Sequence, residues 1–269
     1  ESGRVGQNTG VHIGSLNWYA SQHACAYNWS LYSSVVYKLD SGIHFSIRTF
    51  SAPPELAAGQ YVVGFGAAQV LGTQSQDPFA RHLERSLGMP FLPIAWGGAG
   101  TTFFSKLLDD DGAYGAATRR LVLNARFIVI VAMAGRSSGF EGCPLLCGNM
   151  YCTSGLGVER TLNRVRKEKG PGKHAHALES LKQSWIRDNL DLIRQLRRLV
   201  NQSPGETHVP HVVFLYLSEA PFPKPTADFP QFVEADWLTP IAEQLGDHYM
   251  EIIHLGINEE REAMRFSRS

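Results

Sequence analysis

Two glycine-rich turns, each following a short apolar run and each leading toward a helical pattern, constrain this chain more than any other feature. Both lie in residues 61–106, YVVGFGAAQVLGTQSQDPFARHLERSLGMPFLPIAWGGAGTTFFSK. The stretch reads as strand, glycine turn, helix, strand, second glycine turn, helix. That grammar belongs to open α/β sheets, in which ligands bind outside the carboxyl ends of the strands. A site is therefore expected where these two turns meet.

The elements around this stretch extend the alternation. Tyr61–Phe65 and Phe91–Ala95 are apolar runs of the buried, parallel type, and Phe127–Met133 (FIVIVAM) is the clearest of them. Asp77-Pro78 reads as a helix cap and first-turn proline, Phe79, Leu83 and Leu87 recur at four-residue spacing, and Gly88 ends that helix. Helical patterns follow from Thr101 and through Ala116–Leu123. The longest covers residues 175–200, with Leu178, Leu181, Trp185, Leu192, Leu196 and Leu199 along one stripe. Val212–Leu217, a helix near Asp236–Leu245 and Tyr249–His254 close the pattern. The expectation is an α/β fold with a doubly wound, mainly parallel sheet in three layers.

Two segments stand outside this alternation. Residues 1–42 are rich in Gly, Ser, Asn, Tyr and Trp without a sustained period, and read as an irregular arm; residues 42–50 alternate like a leading strand. Residues 135–173 read as a long insertion holding a cysteine cluster and then Arg160, Arg164, Arg166, Lys167, Lys169 and Lys173, broken by Gly170-Pro171-Gly172. Its charges suit either a solvated face or an anion-binding lid. The division expected is residues 1–60 for arm and leading strand, and 61–269 for one α/β domain carrying the insertion.

Composition excludes several classes. Lys+Arg and Asp+Glu both number 25, so net charge points to neither nucleic acid nor an anionic membrane. No apolar run approaches the roughly 20 residues of a membrane-spanning helix. The four cysteines, Cys25, Cys143, Cys147 and Cys152, suit disulfides, free thiols or, less well at CxxxC and CxxxxC spacing, a metal. With the Asn28-Trp29-Ser30 sequon, they lean toward the secretory pathway or another oxidising compartment. The chain opens on Glu1 rather than Met, as a processed, trimmed or partial product would. Asp109-Asp110-Asp111 reads as a solvated turn, with Ca²⁺ as its rival; no metal site is expected.

The ordered motifs resemble the SGNH (GDSL-type) hydrolase superfamily across residues 61–140. In that family the first strand ends in Gly-Asp-Ser, the second in a glycine turn that donates to the oxyanion, the third in Gly-x-Asn, and a C-terminal Asp-x-x-His completes the set. Here the corresponding segments are Gly64-Phe65-Gly66-Ala67-Ala68-Gln69, Ala95-Trp96-Gly97-Gly98-Ala99-Gly100 and Met133-Ala134-Gly135-Arg136-Ser137-Ser138. The resemblance puts Ala68 in the nucleophile position, where no covalent intermediate can form. Arg136 or Ser137 stands at the asparagine position. No His has an Asp three residues before it; only His254 has Glu251, in a strand pattern that points the two to opposite faces. The scaffold is also similar to bacterial SGNH-like proteins associated with polysaccharide and sulfate metabolism.

The resemblance therefore implies a flavodoxin/SGNH-like fold whose usual catalytic residues are missing, and the catalytic residues, if any, stay unknown. An anionic or carbohydrate-type ligand is expected in a crevice lined by Ala68, Gln69, Gly97, Gly98, Gly100, Thr101, Thr102, Arg136 and Ser137. Two other readings stay open. One is a non-enzymatic binding module or assembly subunit using the arm and the insertion as contact surfaces. The other is a sulfotransferase, because Gly97-Gly98-Ala99-Gly100-Thr101-Thr102 is similar to the Gly-Thr-Thr phosphosulfate loop of that family, although Ala99 fills the place of its basic residue. No cofactor is expected except a phosphosulfate nucleotide under that last reading.

Overall fold

The computed structural model describes residues 10–12, 33–38, 44–49, 56–67, 70, 79–95, 99–145, 157–202, 209–218, 233–246 and 249–253. Three short strands come first: β1 (Gly10–His12), β2 (Ser33–Lys38) and β3 (His44–Thr49). The main sheet holds β4 (Val62–Gly66), β5 (Phe91–Ala95), β6 (Phe127–Val131), β7 (His211–Ser218) and β8 (Tyr249–Ile253). Between them run α1 (Phe79–Leu87), α2 (Thr101–Asp109), α3 (Ala113–Asn124), α4 (Val158–Asn201) and α5 (Ala235–Leu245). A 3₁₀ turn, Gly135–Ser137, follows β6.

The main sheet runs in the order β5-β4-β6-β7-β8, and every neighbouring pair is parallel. Counted from its own first strand, that order is 2-1-3-4-5, the flavodoxin-like doubly wound arrangement. The chain steps outward once, from β4 to β5, then crosses back and continues the other way. Right-handed crossovers place the helix of the outward step on one face and the later helices on the opposite face.

Burial follows that geometry. Val63 and Phe65 of β4, Ile128 and Ile130 of β6, and Val212 and Phe214 of β7 pack with residues of α2, α3, α4 and α5. Their alternates Val62, Val129, Val131 and Leu215 pack on the other side with Ala80 of α1, Phe91 and Ala95. Successive strand side chains point to opposite faces, so both faces must be apolar when both are covered. The result is the three-layer, flavodoxin/SGNH-like α/β class expected from the sequence. The apolar runs of the sequence and the observed strands differ by only a residue or two at their ends.

Two segments depart from expectation. The region read as an irregular arm contains β1 and β2, which join β3 in a three-stranded sheet of order β1-β3-β2, and β3 lies near the free edge of β5. The basic half of the segment read as a long loop is helical: α4 begins at Val158, not near residue 175. Gly170, at φ 82 and ψ 175, breaks α4 there, and Pro171 opens its second half. Only glycine adopts that conformation readily, and proline suits a first helical position because its missing N–H has no partner to lose. The cap at Asp77-Pro78, the Asn28 sequon and the C-terminal end beyond Ile253 lie outside the described residues.

Candidate functional site

The carboxyl end of β6 is tied down by α4. Trp185 is buried, and its indole Nε1 donates a 2.9 Å hydrogen bond to the carbonyl of Met133, just past β6. Its ring meets Phe214 of β7 edge-on at 6.4 Å and Trp237 of α5 at 5.8 Å. One residue type thus serves as core filler and as a polar latch. The latch holds the 3₁₀ turn against the second half of α4.

The second glycine turn meets the same place. Gly100 is the N-cap of α2, with φ −105 and ψ 175, and no side chain caps the helix. A methyl group on Gly100 would overlap the Ser137 carbonyl oxygen and stand 3.0 Å from its carbon. The turn after β5 and the turn after β6 are therefore in contact, through a position where only hydrogen fits.

A groove of about 320 Å³ opens beside this contact. Thr102 and Lys106 of α2 form one wall, and Ser184, Arg187 and Asp188 of α4 face them. Gly139, Phe140, Pro144 and Leu145, which follow the 3₁₀ turn, supply the apolar wall. Helix α2 is further fixed to α4 by Gln195, whose Nε2 donates to the Ser105 carbonyl at 3.0 Å and to Asp109 Oδ1 at 2.6 Å.

Electrostatics single out Asp188. Its side chain is only 11% exposed, while that of neighbouring Arg187 is 63% exposed. Burial pushes the Asp188 carboxyl above the usual carboxylate range; Arg187 beside it and a hydrogen bond from the Ser138 hydroxyl act in the opposite direction. Arg187 Nη2 lies 3.5 Å from Asp188 Oδ1. Two cations, Lys106 and Arg187, thus border a groove that also holds one partly desolvated carboxyl.

Of the residues expected to line the crevice, Thr102 lines the groove. Thr101 is buried at the start of α2, and its hydroxyl has no hydrogen-bond partner among the described residues. Ser137 is buried behind Gly100, and Arg136 is half-buried without lining the groove. Ala68, Gln69, Gly97 and Gly98 lie outside the described residues. Reasoning from strand ends missed Lys106, Ser184, Arg187 and Asp188, which come from helices; a helical polar residue carries no mark in sequence that separates groove from solvent.

The acidic triplet has a structural task. Asp110 accepts hydrogen bonds from the backbone N–H of Gly112 at 3.2 Å and Gly115 at 3.1 Å, at the start of α3. Among the described residues, no group of three or more His, Cys, Asp or Glu side chains is placed to hold a metal ion. Nor is any described helix long and apolar enough to cross a membrane.

No family model matches the chain. No curated protein matches it either. Among solved structures it is similar, at a distance, to a phospholipase A1 from Streptomyces albidoflavus NA297, with 12% identity over 72% of this chain and 79% of that chain and a TM-score of 0.37. So remote a likeness to a hydrolase-like fold carries nothing about chemistry.

Proposed function

We propose that this chain is an SGNH-like domain with degenerate catalytic residues that binds an anionic or carbohydrate-type ligand in the groove between α2, α4 and the segment after β6. The groove itself carries the reading: Lys106 and Arg187 border it, Thr102 and Ser184 add hydroxyls, and its volume of about 320 Å³ suits a small ligand. Ala68 at the nucleophile position of the resemblance makes a serine-type acyl transfer the wrong expectation. Cys143, which is buried and disulfide-bonded, supports placing the protein in an oxidising compartment.

Thermal unfolding of the full chain with millimolar sugar acids, sulfate and neutral sugars tests the reading, because a ligand that binds only the folded state raises its midpoint. A rise with the anionic compounds that is lost in Lys106→Met supports it; no rise with any compound would refute it. The uncapped start of α2 at Gly100 favours one second reading, a phosphosulfate donor loop. Adenosine 3′,5′-bisphosphate outperforming every sugar acid in the same assay would move the assignment to a sulfotransferase. No ligand response together with co-purification in a larger complex would move it to a non-enzymatic module.

A further inference from the structure

Two cations alone would make the groove a general anion site. Asp188 argues against that, because its carboxylate repels any simple anion that the cations attract. It is held in place by the Ser138 hydroxyl from the turn after β6 and by Arg187, so it cannot swing freely into solvent. A carboxylate has about four acceptor directions, and these two partners leave some of them for the groove that Asp188 lines.

Resting on the reading of the groove given above, we infer that its ligand is a hydroxy acid, whose acid group is held by Lys106 and Arg187 while an adjacent hydroxyl donates to Asp188. The opposed charges then become a filter. A simple anion satisfies the cations and meets repulsion from Asp188. A neutral polyol satisfies Asp188 and leaves two cations without a counter-charge. A sugar acid satisfies both, and a site with a placed acceptor discriminates strongly against analogues that lack the matching donor. Asp188 is thus the specificity-determining residue, and Ser138, buried beneath it, is its positioning residue.

Protonation adds a second signature. The charged and titratable groups around Asp188 are Arg187 and Asp191 on α4 and Lys106 across the groove on α2. Protonation of Asp188 removes that repulsion, so a simple anion that keeps its own charge gains affinity on acidification more than a hydroxy acid does.

Calorimetric titration of the full chain with D-glucuronate, acetate and D-glucose tests this. Wild type is expected to bind glucuronate roughly tenfold or more tighter than either of the others. Asp188→Asn is expected to weaken glucuronate by roughly tenfold and to strengthen acetate, and Ser138→Ala to move both in the same directions by less. Opposite shifts for two anions cannot come from a general loss of structure, which would weaken both. Equal binding of glucuronate and acetate by wild type would overturn the inference and leave the anion groove standing. Parallel weakening of both by Asp188→Asn would overturn it as well, and no binding of any probe would remove the groove reading with it.

Discussion

Replacing Gly100 by alanine probes the contact on which the site is built. Its backbone, at φ −105 and ψ 175, is open to any L-residue, so the substitution introduces no strain of conformation. The whole penalty is steric. The new methyl would overlap the Ser137 carbonyl oxygen, which is backbone and cannot rotate away as a side chain would. Overpacking of this kind costs about 1–3 kcal/mol, and the stiffer unfolded chain returns about 0.4–1 kcal/mol, leaving a net loss of about 1 kcal/mol. For a chain of this size that is a fall of about 2–4 °C in Tm. Calorimetry should show it, with Gly172→Ala as the comparator, since nothing lies within 4 Å of a methyl group there. The same variant should weaken ligand binding, because moving the start of α2 displaces Thr102. A Gly100→Ala protein that melts with wild type would mean that the ends of β5 and β6 do not meet as described.

Other perturbations address the supports of the site. Trp185→Phe removes the donor to the Met133 carbonyl and should cost about 1–3 kcal/mol, read as a lower urea midpoint with an unchanged slope; an unchanged midpoint would disprove the latch. Gly170→Ala should cost about 1–3 kcal/mol because φ 82 with ψ 175 is close to glycine-only backbone, although a methyl there meets open space; equal melting of Gly170→Ala and Gly172→Ala would contradict the kink. Asp188→Asn should raise Tm at neutral pH. Burial lifts the Asp188 carboxyl, so folding favours its protonated form: that contribution is full below the ordinary carboxylate value and is lost as pH rises through the lifted one. The advantage of Asn should therefore shrink as pH falls through the same window, and a gain independent of pH would refute the account.

Legibility in the sequence followed the source of each signal. The strands of the main sheet are covered on both faces, so each appears as an unbroken apolar run, as Ile128 to Val131 does. Strands β1 and β2 sit in a small sheet within a segment of Gly, Ser and Tyr that shows no sustained period, and they passed unseen. The basic stretch before Gly170 looked like loop because a Gly-Pro-Gly triplet usually ends regular structure; here it breaks one helix and starts another. The contact between the ends of β5 and β6 was legible because it depends on glycine turns at strand ends. The groove beside it was not, because Lys106, Arg187 and Asp188 come from helices, and their meeting depends on how α2 and α4 pack.

Two departures from ordinary packing lie on α2 and α4, each next in sequence to a residue that lines the groove. Among the described residues, Thr101, one residue before Thr102, has a buried hydroxyl without a partner, and Asn189, one residue after Asp188, has a buried Oδ1 without one. Asn189 Nδ2 is satisfied, donating to the Trp185 carbonyl at 2.7 Å, so the unpaired oxygen is not the result of a loosely held side chain. A third such atom, Glu84 Oε2, belongs to α1 on the other side of the sheet. An unpaired buried polar atom costs about 1–3 kcal/mol, and a desolvated carboxyl adds to that cost. A sequence that simply needed to complete the α/β core at this point could have used apolar residues at Thr101, Asp188 and Asn189, as it does at Phe104, Leu192 and Ile193. Local sacrifices of stability of this kind are what functional sites retain, and they accord with the ligand groove proposed above.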